Sequence, residues 1–178
     1  QLMEYLRSDQ LGPFVRFETP GRPLVPGRGP DQILRMHFED FVVGQAYIKE
    51  TERERSRDSV VVGEREVGGR EYPVYGTVKA TVNCFQKEIS SSGLLSADIL
   101  DARSGGVISR REFPGAFVYY DYWGYFNGDE RALREEDEDC VRKRNPSPDP
   151  PPQQLFLEFT RPIYDDLQQF LRGYYRQY

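Results

Sequence analysis

Between Val74 and Cys84 the chain alternates without a break. Val74, Gly76, Val78, Ala80, Val82 and Cys84 are apolar or small, and Tyr75, Thr77, Lys79, Thr81 and Asn83 lie between them. A period of two held over this length fits a strand with one buried face and does not fit a helix, whose apolar stripe recurs every three to four residues. Just upstream, Gly68-Gly69 lies between Val60-Val61-Val62 and Val74, the pattern of a two-residue hairpin turn. The two signals together predict one long hairpin over residues 45–89, its polar tip reaching past any core the domain can supply. The first arm, residues 45–62, also has the composition of a charged helix. In a helix, however, Glu50/Glu54 and Arg53/Arg57 would set like charges one turn apart. The strand is the better reading.

More strands are expected on either side. Leu34, Met36 and Phe38 alternate with Arg35, His37 and Glu39, so Ile33 to Val43 reads as a half-buried strand. Ser90-Ser91-Ser92-Gly93 reads as a turn, Leu94 to Leu100 as a strand, and Asp101 to Gly106 as a second turn. Val107 to Phe113 is then a strand, Pro114-Gly115 a break, and Ala116 to Trp123 one more strand. Strands joined by tight turns give an antiparallel meander. A short helix is expected from Glu130, capped by Asn127 or Asp129. Residues 145–153 hold five prolines in nine positions and read as an extended linker. Beyond it, Phe156, Phe159, Ile163, Leu167, Phe170 or Leu171, and Tyr174 form an amphipathic helical stripe, with Thr160 as a cap and Pro162 in the first turn. Near the start, residues 2–11 read as the end of a helix, 14–18 as a short strand and 19–30 as a proline-rich loop. The fold class is therefore α+β: an antiparallel β-meander with a long protruding hairpin, packed against a C-terminal amphipathic helix. Its organisation is a sheet domain over 1–144, a linker over 145–153 and a terminal helix over 154–178.

With 178 residues the chain is long enough for one core and short for two. Its 24 basic residues against 29 acidic leave a net charge of −5, which argues against a nucleic-acid partner. No stretch carries the run of about 20 apolar residues that spans a bilayer, so no transmembrane span is expected. Cys84 and Cys140 stand apart from each other and from the single histidine, His37, so no metal site is expected. The two cysteines could form one disulfide if the chain is exported, or remain two thiols.

The densest candidate for recognition is residues 113–126, where eight of fourteen positions are aromatic. Tyrosine and tryptophan anchor partners and stack on sugars, which makes Tyr119, Tyr120, Tyr122, Trp123 and Tyr125 the candidate partner-binding residues. A bland role competes: one row of these rings belongs to the core under the terminal helix. Carboxylates that could pair for hydrolysis are Asp98 with Asp101, Asp121 with Asp129, and the run Glu135 to Asp139, which reads better as a solvated helix end. His37 has no nucleophile motif beside it, and no glycine-rich phosphate cradle is present. No catalytic residue and no cofactor are expected.

Residues 94–133 carry a more particular pattern. Asp101, Ala102, Ser104, Gly105, Val107 and Ile108 form a D-A-x-S-G-x-V-I hairpin. It leads through Phe113, Pro114, Gly115 and Phe117 into an aromatic stretch that ends Phe126-Asn127-Gly128-Asp129-Glu130-Arg131-Ala132-Leu133. This resembles a family of lipoprotein-like cell-envelope proteins of Bacteroidetes-type bacteria, and the closing PIYDDLQQFLRGYY helix is similar to that family's last helix. The resemblance implies an exported chain, periplasmic or outer-membrane associated, without catalytic residues; export favours a Cys84–Cys140 bridge. No lipobox cysteine lies near Gln1, a departure from that pattern. The function expected is a non-catalytic structural or assembly module acting through contacts with other envelope proteins or its own copies. The alternative is a glycan-binding domain using residues 117–126.

Overall fold

The structure, a computed structural model, describes residues 15–17 and 29–176. The expectations for residues 2–11 and for most of 14–30 lie outside them. Three strands make one antiparallel sheet in the order β1 (Gln32–Val67), β2 (Arg70–Asp101), β3 (Val107–Gly128). A 3-10 turn at Glu130–Ala132 and two helices follow, α1 (Glu135–Val141) and α2 (Pro152–Tyr175). The chain is an α+β meander, as the alternation and turn signals predict. The long hairpin turns at Gly68-Gly69, both with positive φ (62° and 78°), the geometry in which glycine is at least cost.

Where the sequence suggests several short strands, the structure has three long ones. Ser90 to Gly93 is not a turn but the middle of β2. Its residues are small because other elements press on them: a Cβ on Gly93 would lie 2.9 Å from both Phe159 and the Cβ of Phe41. Ser91 is buried, and its hydroxyl accepts the Gly44 N–H. Pro114-Gly115 likewise does not break β3. A sheet tolerates proline on an outer strand, and β3 is one. A Cβ on Gly115 would sit 2.6 Å from Cγ1 of Ile163, so glycine is there to let the helix approach. β1 also runs on where a strand from 33 to 43 and a second arm were expected; Asp40, Gly44 and Ser59, all with positive φ, interrupt its pleat without ending it.

The described residues fall into two compact units, and each strand contributes to both. The first draws on the described residues up to Gln45, on Ser90–Phe117 and on those from Pro150 onward, the second on Ala46–Ile89 and Val118–Asp149. The core of the first unit is α2 against the sheet. Leu155, Phe159, Ile163, Leu167, Leu171 and Tyr175 are buried at a spacing of four, and from Phe159 onward they cluster with Leu95, Ala97 and Phe113. Leu34, Met36 and Phe117 pack against this cluster, as do Val15 and Phe17. The helix starts at Pro152, inside the stretch read as linker, so Pro162 lies in its interior and not in its first turn. Thr160 does not cap; its hydroxyl donates to the carbonyls of Phe156 and Leu157. The other sheet face of this unit is polar: Asp98, 1% exposed in its side chain, lies between Arg35 and Arg110 from the neighbouring strands.

The second unit has a smaller core in which Val78, Ala80 and Ala132 pack with Val60 and Leu133. Asp129 does cap, accepting the Arg131 N–H, but it starts the 3-10 turn, and α1 begins only at Glu135. The Lys79 carbonyl accepts the Asp129 N–H, and this bond closes the β2–β3 ladder. Pro73 lies six residues back along β2. From Val61 to Tyr75 every residue is exposed.

Candidate functional site

The five aromatic residues singled out from the sequence all lie on β3 in the second unit, and the structure divides them. Trp123 stacks on Phe85 of β2 at 5.4 Å between ring centroids and 7° between planes, and Tyr125 leans on the same Phe85 at 6.1 Å. Tyr120 and Tyr122 stack on each other at 6.4 Å and 17°, each about half exposed. Tyr119 is half-buried. Of residues 113–126, Phe113 is buried in the core under α2 and Phe117 packs against it. Asp121 is buried, which a simple aromatic alternation does not anticipate.

An ion network accounts for Asp121. Burial alone would raise its pKa, but hydrogen bonds from the Lys143 ammonium and the Ser147 N–H outweigh that and hold it below the ordinary carboxylate range. Lys87 pairs with Asp149 and places its ammonium 5.7 Å from the Trp123 ring centre, a cation–π contact. Residues 143–149, much of the stretch read as a free linker, are thus fastened to the sheet. The Gly124 N–H also donates to the Lys143 carbonyl, so this segment covers part of the outer border of β3.

A second set of bonds fastens α1. Asp137, with no exposed surface, accepts from Arg55 through two nitrogens at 2.8 Å, from Arg53 at 3.5 Å and from the Arg134 N–H. Hydrogen bonding by Arg55 is the chief reason its pKa is lowered. Cys140 of the same helix is bridged to Cys84 of β2, with Cα atoms 5.7 Å apart. Gly124 makes room for the bridge: a Cβ there would lie 2.6 Å from the Asn83 carbonyl and closer still to the Cys140 sulfur.

The carboxylates considered for hydrolysis have structural partners. Hydrogen bonds from Arg110, then Arg35, hold Asp98 far below the usual range. Asp101 closes its turn by accepting the Ser104 and Arg103 N–H groups. Asp129 is lowered to about 2, chiefly by the Arg131 side chain. Of the run 135–139, Glu136 and Asp137 pair with Arg55, and Asp139 pairs with Arg142. Among the described residues no group of three or more His, Cys, Asp or Glu side chains is placed to hold a metal ion. None of their helices is long and apolar enough to cross a membrane. His37 is half-exposed on β1, 2.9 Å from Glu39.

Sequence reasoning missed Phe85, Lys87 and Asp149, because what links them to Trp123 is strand register and a returning segment, neither visible locally. It also missed how the charges of β1 divide. Arg53 and Arg55 reach Asp137 and Arg57 reaches the Arg131 carbonyl, so these three share one face. Alternation turns Glu50, Glu52, Glu54 and Asp58 to the other face, where Asp58 accepts from the Thr77 hydroxyl. Thr77, Thr81 and Phe85 share that face along β2, which brings the three glutamates and the Phe85/Trp123/Tyr125 rings onto one surface. The chain was compared with protein-family models, curated proteins and solved structures, and none of them matches it.

Proposed function

We propose that this chain is a non-catalytic assembly module of a bacterial envelope complex, working through protein–protein contacts of the second unit. One observation carries the reading: the outer ribbon exposes Val61, Val62, Val67, Tyr72, Val74 and Tyr75, each 40% or more accessible. Large apolar side chains left exposed on both faces of a two-stranded ribbon are costly to keep in water and favour a ribbon that is covered when the protein works. The Cys84–Cys140 bridge supports an exported location, since disulfides persist in oxidising compartments. The carboxylates lowered by internal donors support a structural role for those groups and speak for a scaffold over a hydrolase.

The test is photo-crosslinking in the native envelope with a crosslinking phenylalanine analogue in place of Tyr75 or Tyr122. Capture of the same identified envelope protein, or of a second copy, from both positions is the expected result. A chain that remains monomeric and uncrosslinked at native levels overturns the reading.

The glycan reading keeps one specific support, the near-parallel Tyr120/Tyr122 pair, whose half-exposed rings suit stacking on sugar faces. It expects retention on a polysaccharide affinity gel that Tyr122→Ala abolishes while Trp123→Phe, at a ring already stacked on Phe85, preserves it.

A further inference from the structure

The two borders of the sheet in the second unit are treated differently by the chain. The β3 border is partly covered by its own segment, through the Gly124 N–H and the Lys143 carbonyl. β1, by contrast, has only β2 as a hydrogen-bonded neighbour among the described residues. Along that border Glu50, Glu52 and Glu54 stand on one face, exposed and without an ion pair among the described residues, while Arg53 and Arg55 on the other face are spent on Asp137. Like charges at alternate positions of a strand repel one another, and a cross-strand neighbour of opposite sign relieves them.

We propose that the border of β1 between Ala46 and Asp58 is a strand-addition site for an extended segment of another protein with Lys or Arg at every second position. Its backbone would pair with β1, and its basic side chains would lie beside Glu50, Glu52 and Glu54.

A second copy is the wrong occupant by charge. Two β1 borders joined antiparallel about a twofold axis normal to the sheet set residues of the same face opposite each other. In every such register of 46–58 glutamate meets glutamate, Asp58 or an uncharged residue and never a cation, while arginine meets arginine, Lys49, Thr51 or Tyr47, so self-pairing is penalised by the same pattern that favours a basic guest. This inference rests on the assembly reading and names the chemistry of one partner.

The probe is a short capped peptide with lysine at every second position. It is compared with an isomer carrying the same lysines in one block and with a version N-methylated at alternate residues. Titration into the intact oxidised chain is expected to show the alternating peptide binding about tenfold tighter than either control, as cross-strand charge pairs and backbone pairing require. The triple variant Glu50→Gln, Glu52→Gln, Glu54→Gln alters only exposed side chains and should lose about tenfold with its circular dichroism unchanged. Equal affinity for the alternating and block peptides, or no binding of either, overturns the proposal. So does displacement of the peptide by a second copy of the chain. If the peptide fails while Tyr75 still crosslinks to an identified envelope protein, the basic strand is wrong and the assembly reading stands.

Discussion

At the scale of single residues, glycines and buried carboxylates decide more than the aromatic residues that dominate the sequence. Gly115 and Gly124 occupy sites where no side chain fits, one under α2 and one beside the disulfide. Replacing either by alanine forces backbone or helix to shift, since the obstructing atoms include the Phe159 and Asn83 carbonyls. Gly115→Ala should therefore cost about 1–3 kcal/mol or more in urea unfolding. Gly173→Ala, where an added Cβ meets nothing within 4 Å, should be neutral or stabilising. None of this is legible in the sequence, because glycine between Pro114 and Ala116 has the same appearance whether it bends a chain or admits a helix. The same holds for Asp98 and Asp137. Asp98 is held by Arg110, 12 positions on, and by Arg35, 63 positions back, and Asp137 by Arg55, 82 positions back, pairings that only the fold reveals.

At the scale of elements, what could be read in advance was whatever depends on local periodicity. The Val74 to Cys84 alternation, the Gly68-Gly69 turn and the four-residue spacing from Phe159 to Leu167 follow from strand and helix geometry, and the structure has all three. What misled were serines and glycines at 90–93 and Pro114-Gly115, where turn chemistry and close packing call for the same residues. α1 is a seven-residue helix, too short to persist by itself, and it is held by Asp137 and by the Cys84–Cys140 bridge. Cys84→Ser with Cys140→Ser should lower stability by about 2–4 kcal/mol. Amide exchange should speed up first in residues 135–149, while α2, which the bridge does not touch, keeps its protection. Uniform loss of protection along the chain would show that the bridge stabilises the fold as a whole.

At the scale of the whole molecule, acid should be the solvent condition that tells most. Asp98, Asp121, Asp129 and Asp137 all titrate below their ordinary values because cationic or N–H donors hold the ionised form. A carboxylate whose pKa is lowered by folding stabilises the native state above its unfolded value of about 3.9 and loses that contribution as pH falls through the folded value. The melting temperature should accordingly be flat, as far as these groups decide it, from about pH 5 upward and fall steeply between about pH 4 and 2. Asp129, with a folded value of about 2, contributes through the lower part of that range, so Asp129→Asn should flatten the decline there. A melting temperature indifferent to pH in that window would mean the donors found equivalent water in the folded chain.

The bond from the Asp129 N–H to the Lys79 carbonyl fixes which way the backbone of β2 points near the ribbon. Every second residue before it, Thr77, Tyr75 and Pro73, turns its main-chain groups toward that same outer side. Proline has no hydrogen to give, so a newcomer aligning there meets a gap in the row of donors. Pairing of a further strand along that flank is therefore disfavoured at Pro73, which blunts the exposed ribbon against edge-to-edge growth on that side.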